Sequence, residues 1–216
     1  MDTPNEVHIL ANLGDRVLGI RSYPPGSGES DPLVRTSKAA LTALVDLDET
    51  LGALKVDQPN PVKRGEAAEP AFLRVQAKLA DAKRALAAEE AAAQQMRQAL
   101  ELPPSGGSAT QEIADDHLRQ WVRTLDGDQR AKLFGELGEG KHPEVLVALA
   151  RFRAPDPTAV QARATYAALA RQANPQMVAQ IDAAQERVTW SRTLVREVET
   201  TLTAALMESG APVILQ

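Results

Sequence analysis

Residues 175–207 read PQMVAQIDAAQERVTWSRTLVREVETTLTAALM, and the spacing of apolar side chains in this stretch decides the fold. Met177, Ile181, Ala184, Val188, Ser191, Val195, Val198, Leu202 and Ala205 follow one another at alternating intervals of four and three. That alternation keeps one stripe on one side of an α-helix and is the pattern of a coiled-coil seam. Pro175 suits the first helical position, where its missing N–H would have no partner anyway. At 1.5 Å per residue such a helix is roughly 50 Å long. A helix of that length predicts an elongated hairpin or bundle.

Two further stretches carry the same kind of pattern. Residues 32–56 place Leu33, Ala40, Leu44, Leu47, Leu51 and Leu54 on one face. Residues 70–102 place Phe72, Val75, Leu79, Ala82, Leu86, Ala93, Met96 and Leu100 in one seam, which Glu89 interrupts. A capping residue followed by proline recurs as the start signal: Asp31-Pro32, Glu69-Pro70, His142-Pro143, Asp156-Pro157 and Asn174-Pro175. Asp and Asn are good N-caps, whereas Glu69 and His142 are weak ones. Ser108-Ala109-Thr110-Gln111 has the form of a capping box.

Shorter helices are predicted in the middle of the chain. Residues 110–125 turn Ala114, Leu118, Trp121 and Leu125 inward, and residues 157–173 turn in Val160, Ala164, Ala167 and Leu169. Between them lie helical patterns over 128–137 and 143–152, separated by Gly138-Glu139-Gly140-Lys141. Trp121, Phe134, Phe152 and Tyr166 are expected to form the core of this lobe, since buried aromatics supply most area per residue. The expected fold is therefore all-α: a long helical hairpin or coiled-coil-like bundle, a small helical lobe, and short β-prone terminal arms. The expected divisions are 1–30 (arm and linker), 31–102 (long hairpin), 103–109 (linker), 110–173 (lobe), 174–209 (long helix) and 210–216 (tail).

The two ends differ from the rest. Val7, Ile9 and Leu10, then Val17, Leu18 and Ile20, form two β-prone runs, and Tyr23-Pro24-Pro25-Gly26 follows as a linker. Val213, Ile214 and Leu215 make a third apolar run near the last residue. A lone hairpin is marginal in water, so these ends need something to dock on. Together with Tyr23 and Trp190, which lies beside the last seam, they are the candidate partner-binding residues. Trp190 is expected to pack sideways on the lobe or on a neighbouring chain.

Composition narrows the function. Of 216 residues only 3% are aromatic, and the net charge is −5. Lys and Arg are interleaved with Asp and Glu, the densest basic stretch being Arg74, Lys78, Lys83 and Arg84. Nucleic acid held by phosphate contacts is a poor expectation for such a chain. There is no cysteine, which excludes disulfides and thiolate metal sites. No apolar run approaches the ~20 residues of a membrane span, and the first residues lack a secretory leader pattern.

The sharpest hint of chemistry is Leu44-Val45-Asp46-Leu47-Asp48-Glu49-Thr50. It resembles the first motif of the haloacid dehalogenase-like phosphatases. That resemblance implies Asp46 as nucleophile, Asp48 as general acid/base, and magnesium beside them. Against it, no strand–helix alternation follows Thr50, and residues two apart on a helix point to opposite sides. His8, His117 and His142 show no ligand spacing. Asp115-Asp116-His117 reads as an exposed polar face, and Asp126-Gly127-Asp128 as a turn with a helix cap. No catalytic residue, metal, cofactor or small-molecule substrate is expected.

Residues 125–155, with Gln129-Arg130-Ala131-Lys132-Leu133 and Gly138-Glu139-Gly140, lead through Tyr166 to Asn174-Pro175 and a long terminal helix. This arrangement is similar to helical proteins encoded among the structural genes of tailed phages and prophages. The resemblance implies a virion component, at the head or neck, assembled in the host cytoplasm on other subunits or on itself. The competing expectations are a cytoplasmic helical adaptor and a magnesium-dependent phosphatase.

Overall fold

The computed structural model describes residues 9–13, 16–20, 27–28, 30–58, 60–152 and 156–209. Two strands, β1 (Ile9–Leu13) and β2 (Arg16–Ile20), precede seven helices in these residues. The helices are α1 (Pro32–Asp57), α2 (Pro61–Glu101), α3 (Ala109–Thr124), α4 (Gly127–Gly138), α5 (Pro143–Ala150), α6 (Pro157–Ala173) and α7 (Pro175–Ser209). The fold is all-α in class. It divides into two compact units, residues 1–91 with 183–216 and residues 92–182.

In the first unit α1 begins where Asp31 leaves the extended region. The Asp31 carboxylate accepts from the amides of Leu33 (2.9 Å) and Val34 (3.3 Å), two donors that no helical carbonyl can reach. Leu33, Val34, Ser37, Ala40, Leu41, Ala43, Leu44 and Leu47 are buried along one broad face. That face packs with Phe72, Val75, Leu79 and Ala82 of α2 and with Leu194, Val195, Val198 and Leu202 of α7. The result is a three-helix bundle whose seams close within one chain. Burying each large aliphatic side chain contributes roughly 1.5–3 kcal/mol, so the seam dominates the stability of this unit.

One end of the bundle is marked by Leu33, Leu86 and Val188 packed together. Nearby the hydroxyls of Ser37 and Ser191 meet inside the core. A serine in each helix lets the backbones approach, and one hydroxyl donates to the other. The rim is closed by ions: Arg187 reaches Glu89 (2.5 Å) and Asp31 (3.4 Å), Arg192 reaches Glu90 (2.6 Å), and Lys83 reaches Glu199 (2.6 Å). Glu89, which breaks the apolar seam of α2, therefore meets an arginine.

Several sequence expectations are corrected here. Pro70 does not open the second helix: α2 starts nine residues earlier, where the Asn60 carboxamide accepts from the Val62 amide (3.0 Å). Asn60-Pro61 is the same cap-and-proline device. His142-Pro143 does open α5, but His142 makes no side-chain cap at all and sits in the left-handed region at φ 53°. Asn174 caps backwards, its side chain donating to the Ala170 carbonyl (2.8 Å) at the end of α6. Met177, placed in the last seam by its spacing, is exposed.

In the second unit, Val122, Leu133, Leu137, Val145, Leu146 and Leu149 form the core. α5 lies against both α3 and α6. Asp126 and Gln129 form a full capping box at the start of α4. At Ser108 only half of one forms: the serine accepts from the Gln111 amide, while the Gln111 side chain turns to Asp115 instead.

Two helix faces in this unit are rotated from expectation. In α3 the inward residues are Asp115, Leu118, Val122 and Leu125, while Ala114 and Trp121 are exposed. In α6 they are Ala159, Ala162, Tyr166 and Leu169, while Val160 and Ala164 face out. Both observed stripes keep the three-four alternation. The buried alanines of α6 sit where α5 supplies the bulk. Trp121, 46% exposed, is thus not part of the lobe core, whereas Phe134 and Tyr166 pack against it.

Candidate functional site

The residues proposed for partner binding fall into three groups. Ile9 and Leu10 lie in β1, and Val17, Leu18 and Ile20 in β2. The strands pair antiparallel, with Ile9 opposite Ile20, Leu10 opposite Gly19, Ala11 opposite Leu18 and Asn12 opposite Val17. Among the described residues the sheet has only these two strands, and β1 runs beside α1. Each strand therefore keeps one edge of backbone N–H and C=O groups without a strand partner among the described residues. Val7, Tyr23, Val213, Ile214 and Leu215 lie outside the described residues. Trp190 is half-buried and packs on the core of its own three-helix bundle, alongside Leu194 and Val195.

Asp46 and Asp48 lie in the middle of α1, Asp46 exposed and Asp48 partly covered. The Thr50 hydroxyl donates to the Asp46 carbonyl (2.7 Å), a bond internal to the helix. Desolvation raises the Asp48 carboxyl above its ordinary range, with Lys55 pulling it back. Among the described residues no three acidic or histidine side chains come together as a metal site. His117 is exposed on α3, and the His142 Nε2 lies 3.3 Å from a Glu136 carboxylate oxygen.

The lobe holds what the sequence did not disclose. Asp115, read as part of an exposed polar face, is 4% exposed. Its carboxylate accepts from Arg151 (3.0 Å) and from the Gln111 amide group (2.8 Å), and Arg151 also donates to the Pro104 carbonyl (2.8 Å). This buried pair joins α3 to the end of α5. Next to it, Phe152 is half-buried, with the guanidinium carbons of Arg119 and Arg123 at 5.1 and 5.8 Å from its ring centroid. Arg163 donates to the Phe152 carbonyl. The only advance signal was Arg119 and Arg123 four apart on one helix face. The remaining arginines are scattered in sequence.

At the N-terminus of α6 the Asp156 carboxylate accepts from the Thr158 amide (2.8 Å). That bond is the main reason its pKa lies below the usual carboxylate range, and Arg123 adds to it. Both interactions favour the ionised form of Asp156.

Searches with protein-family models, with curated protein sequences and with solved structures found no match to this chain. The class defined by the fold is an all-α protein, and its function has to be argued from its own surfaces.

Proposed function

We propose that this chain is a non-enzymatic structural or assembly protein that works by binding other proteins, as a component of a tailed-phage virion. The observation that supports this best is the β1–β2 hairpin, whose outer edges offer backbone donors and acceptors for strand addition by a partner. The three-helix bundle behind it supplies a stiff body for such an arm. The arrangement of Asp46 and Asp48 supports the same side: two carboxylates on different faces of one helix do not converge on a phosphate or a metal.

Deletion of residues 1–28 tests the proposal. Helical circular dichroism and melting temperature are expected to stay as in the full chain. Co-purification with the products of neighbouring genes is expected to be lost. Global unfolding on deletion would show that the hairpin belongs to the core, and unimpaired co-purification would remove the hairpin from the docking role.

A further inference from the structure

We infer that the lobe carries a second, separate docking site: an arginine-lined hollow that takes a short acidic and apolar peptide segment of a partner protein. The hollow has a volume of about 590 Å³. Its charged lining is Arg119, Arg123, Arg130 and Asp156, and its apolar wall includes Val122, Leu149 and Phe152. Among the described residues three cations stand against one carboxylate in its lining, which makes it positive in a chain whose net charge is −5.

The arginines are held to different degrees, Arg119 most firmly and Arg123 least. Arg119 is anchored by donation to the Ala148 carbonyl (3.3 Å) and to the Asp116 carboxylate (3.4 Å), and is only 16% exposed. Arg130 donates from one terminal nitrogen to the Leu125 carbonyl (3.0 Å), and its buried Nε has no hydrogen-bond partner. Arg123 is 62% exposed, and its nearest carboxylate oxygen, on Asp156, is 3.7 Å away, beyond hydrogen-bond length. Asp156 is already committed to the cap of α6. The Arg119 and Arg123 guanidinium groups both lie over Phe152, which restrains them and leaves less motion to lose on binding.

The occupant follows from charge and shape. A guanidinium matches a carboxylate with two parallel hydrogen bonds, and the apolar wall suits an aliphatic side chain next to that carboxylate. The volume falls within the range of sites that take a small ligand or a few residues of peptide. A second hollow of about 560 Å³ shares Arg119 and Phe152, but Arg151 and Arg163 there are already engaged by Asp115 and the Phe152 carbonyl, so the acidic part of the segment belongs in the first hollow. A long phosphate backbone is a worse fit: Glu112 and Asp115 line the second hollow and Asp116 lies beside Arg119, where a dense row of phosphates would meet them.

The site rests on the assembly reading only in that its occupant is a protein. It lies wholly in the lobe, so the hairpin deletion leaves it intact and the two can fail independently.

The probe is a short fluorescein-labelled peptide alternating glutamate and leucine, titrated with the full chain and read by anisotropy. Saturable binding that weakens with salt is expected, and it should be the same for the chain lacking residues 1–28. Arg123→Glu is expected to weaken binding roughly tenfold or more, with Arg123→Lys between, while Arg74→Glu on α2 leaves it unchanged. Arg123 is exposed, so unchanged circular dichroism separates lost binding from lost folding. The site is overturned if there is no saturation by about 1 mM peptide. Equal binding by Arg123→Glu, or by a lysine–leucine control peptide, overturns it as well. Tighter binding of an oligothymidylate of equal charge would reassign the hollow to nucleic acid.

Discussion

Asp115→Ala removes one half of a buried ion pair and leaves Arg151, itself only 18% exposed, without its carboxylate. An unpaired buried charge is expensive, and fully buried examples cost about 3–5 kcal/mol. Arg151 keeps the Pro104 carbonyl and some water, so about 2–3 kcal/mol is expected, read as a lower urea midpoint with unchanged slope. Replacing both residues with leucine should recover much of that loss, because the pair's mutual attraction only offsets its own desolvation. A double variant as weak as the single one would mean that the pair orders the α3–α5 contact in a way packing cannot replace. Asp115 also shows why this residue was read as exposed. Its place in the α3 stripe is visible only when Arg151, thirty-six positions later, is known to face it.

At the scale of elements, most helices were legible because their start signals are local. Asp31 and Asp156 cap as their residue types predict, and the seams of α1, α2 and α7 bury most of the residues that their spacing selects, with Met177 exposed and Leu51, Leu54 and Met96 only partly covered. The exceptions have physical causes. Alanine carries little apolar signal, so the inward face of α6 could not be told from its outward face until α5 was placed. Pro70 was read as a helix start because an interior proline is costly, yet α2 continues through it. Gly65 and Ala68, both buried, carry the earlier turns onto the bundle, and Asn60 caps them. Pro70 is exposed and removes one backbone hydrogen bond from the helix. Pro70→Ala is therefore expected to stabilise the chain, by about 1–3 kcal/mol, seen as a higher urea midpoint. Loss of stability instead would show that the proline holds a bend on which packing of the first turns depends.

For the molecule as a whole, the sequence left open whether the long seams close within one chain or between copies, and the first unit answers this. Leu41, Leu44, Leu47, Val75 and Val198 are sealed inside a single bundle. Interaction surfaces were the least legible part, since they depend on residues that are distant in sequence. Arg74, Lys78, Lys83 and Arg84 are dense in sequence but lie exposed along α2, with Asp81 and Glu199 as ion-pair partners. The arginines that gather do so from α3, α4 and the segment after α5. Among the described residues the bundle leaves few large apolar side chains uncovered: Val56, Val62 and Met207, at 84%, 57% and 74% exposure, near the end where α1 turns into α2 and α7 stops, and Leu73 farther along α2. Four scattered side chains are far less than a stable protein interface needs. Light scattering across a wide concentration range should therefore give the mass of one chain, 23.2 kDa, at every dilution. That result would leave assembly to a different partner, at the hairpin edge or the arginine hollow. A defined oligomer would mean instead that copies join, and Val56→Glu with Met207→Glu would then decide where. If those changes dissolve the oligomer, the bundle end is the contact; if deleting residues 1–28 dissolves it, the hairpin edges are.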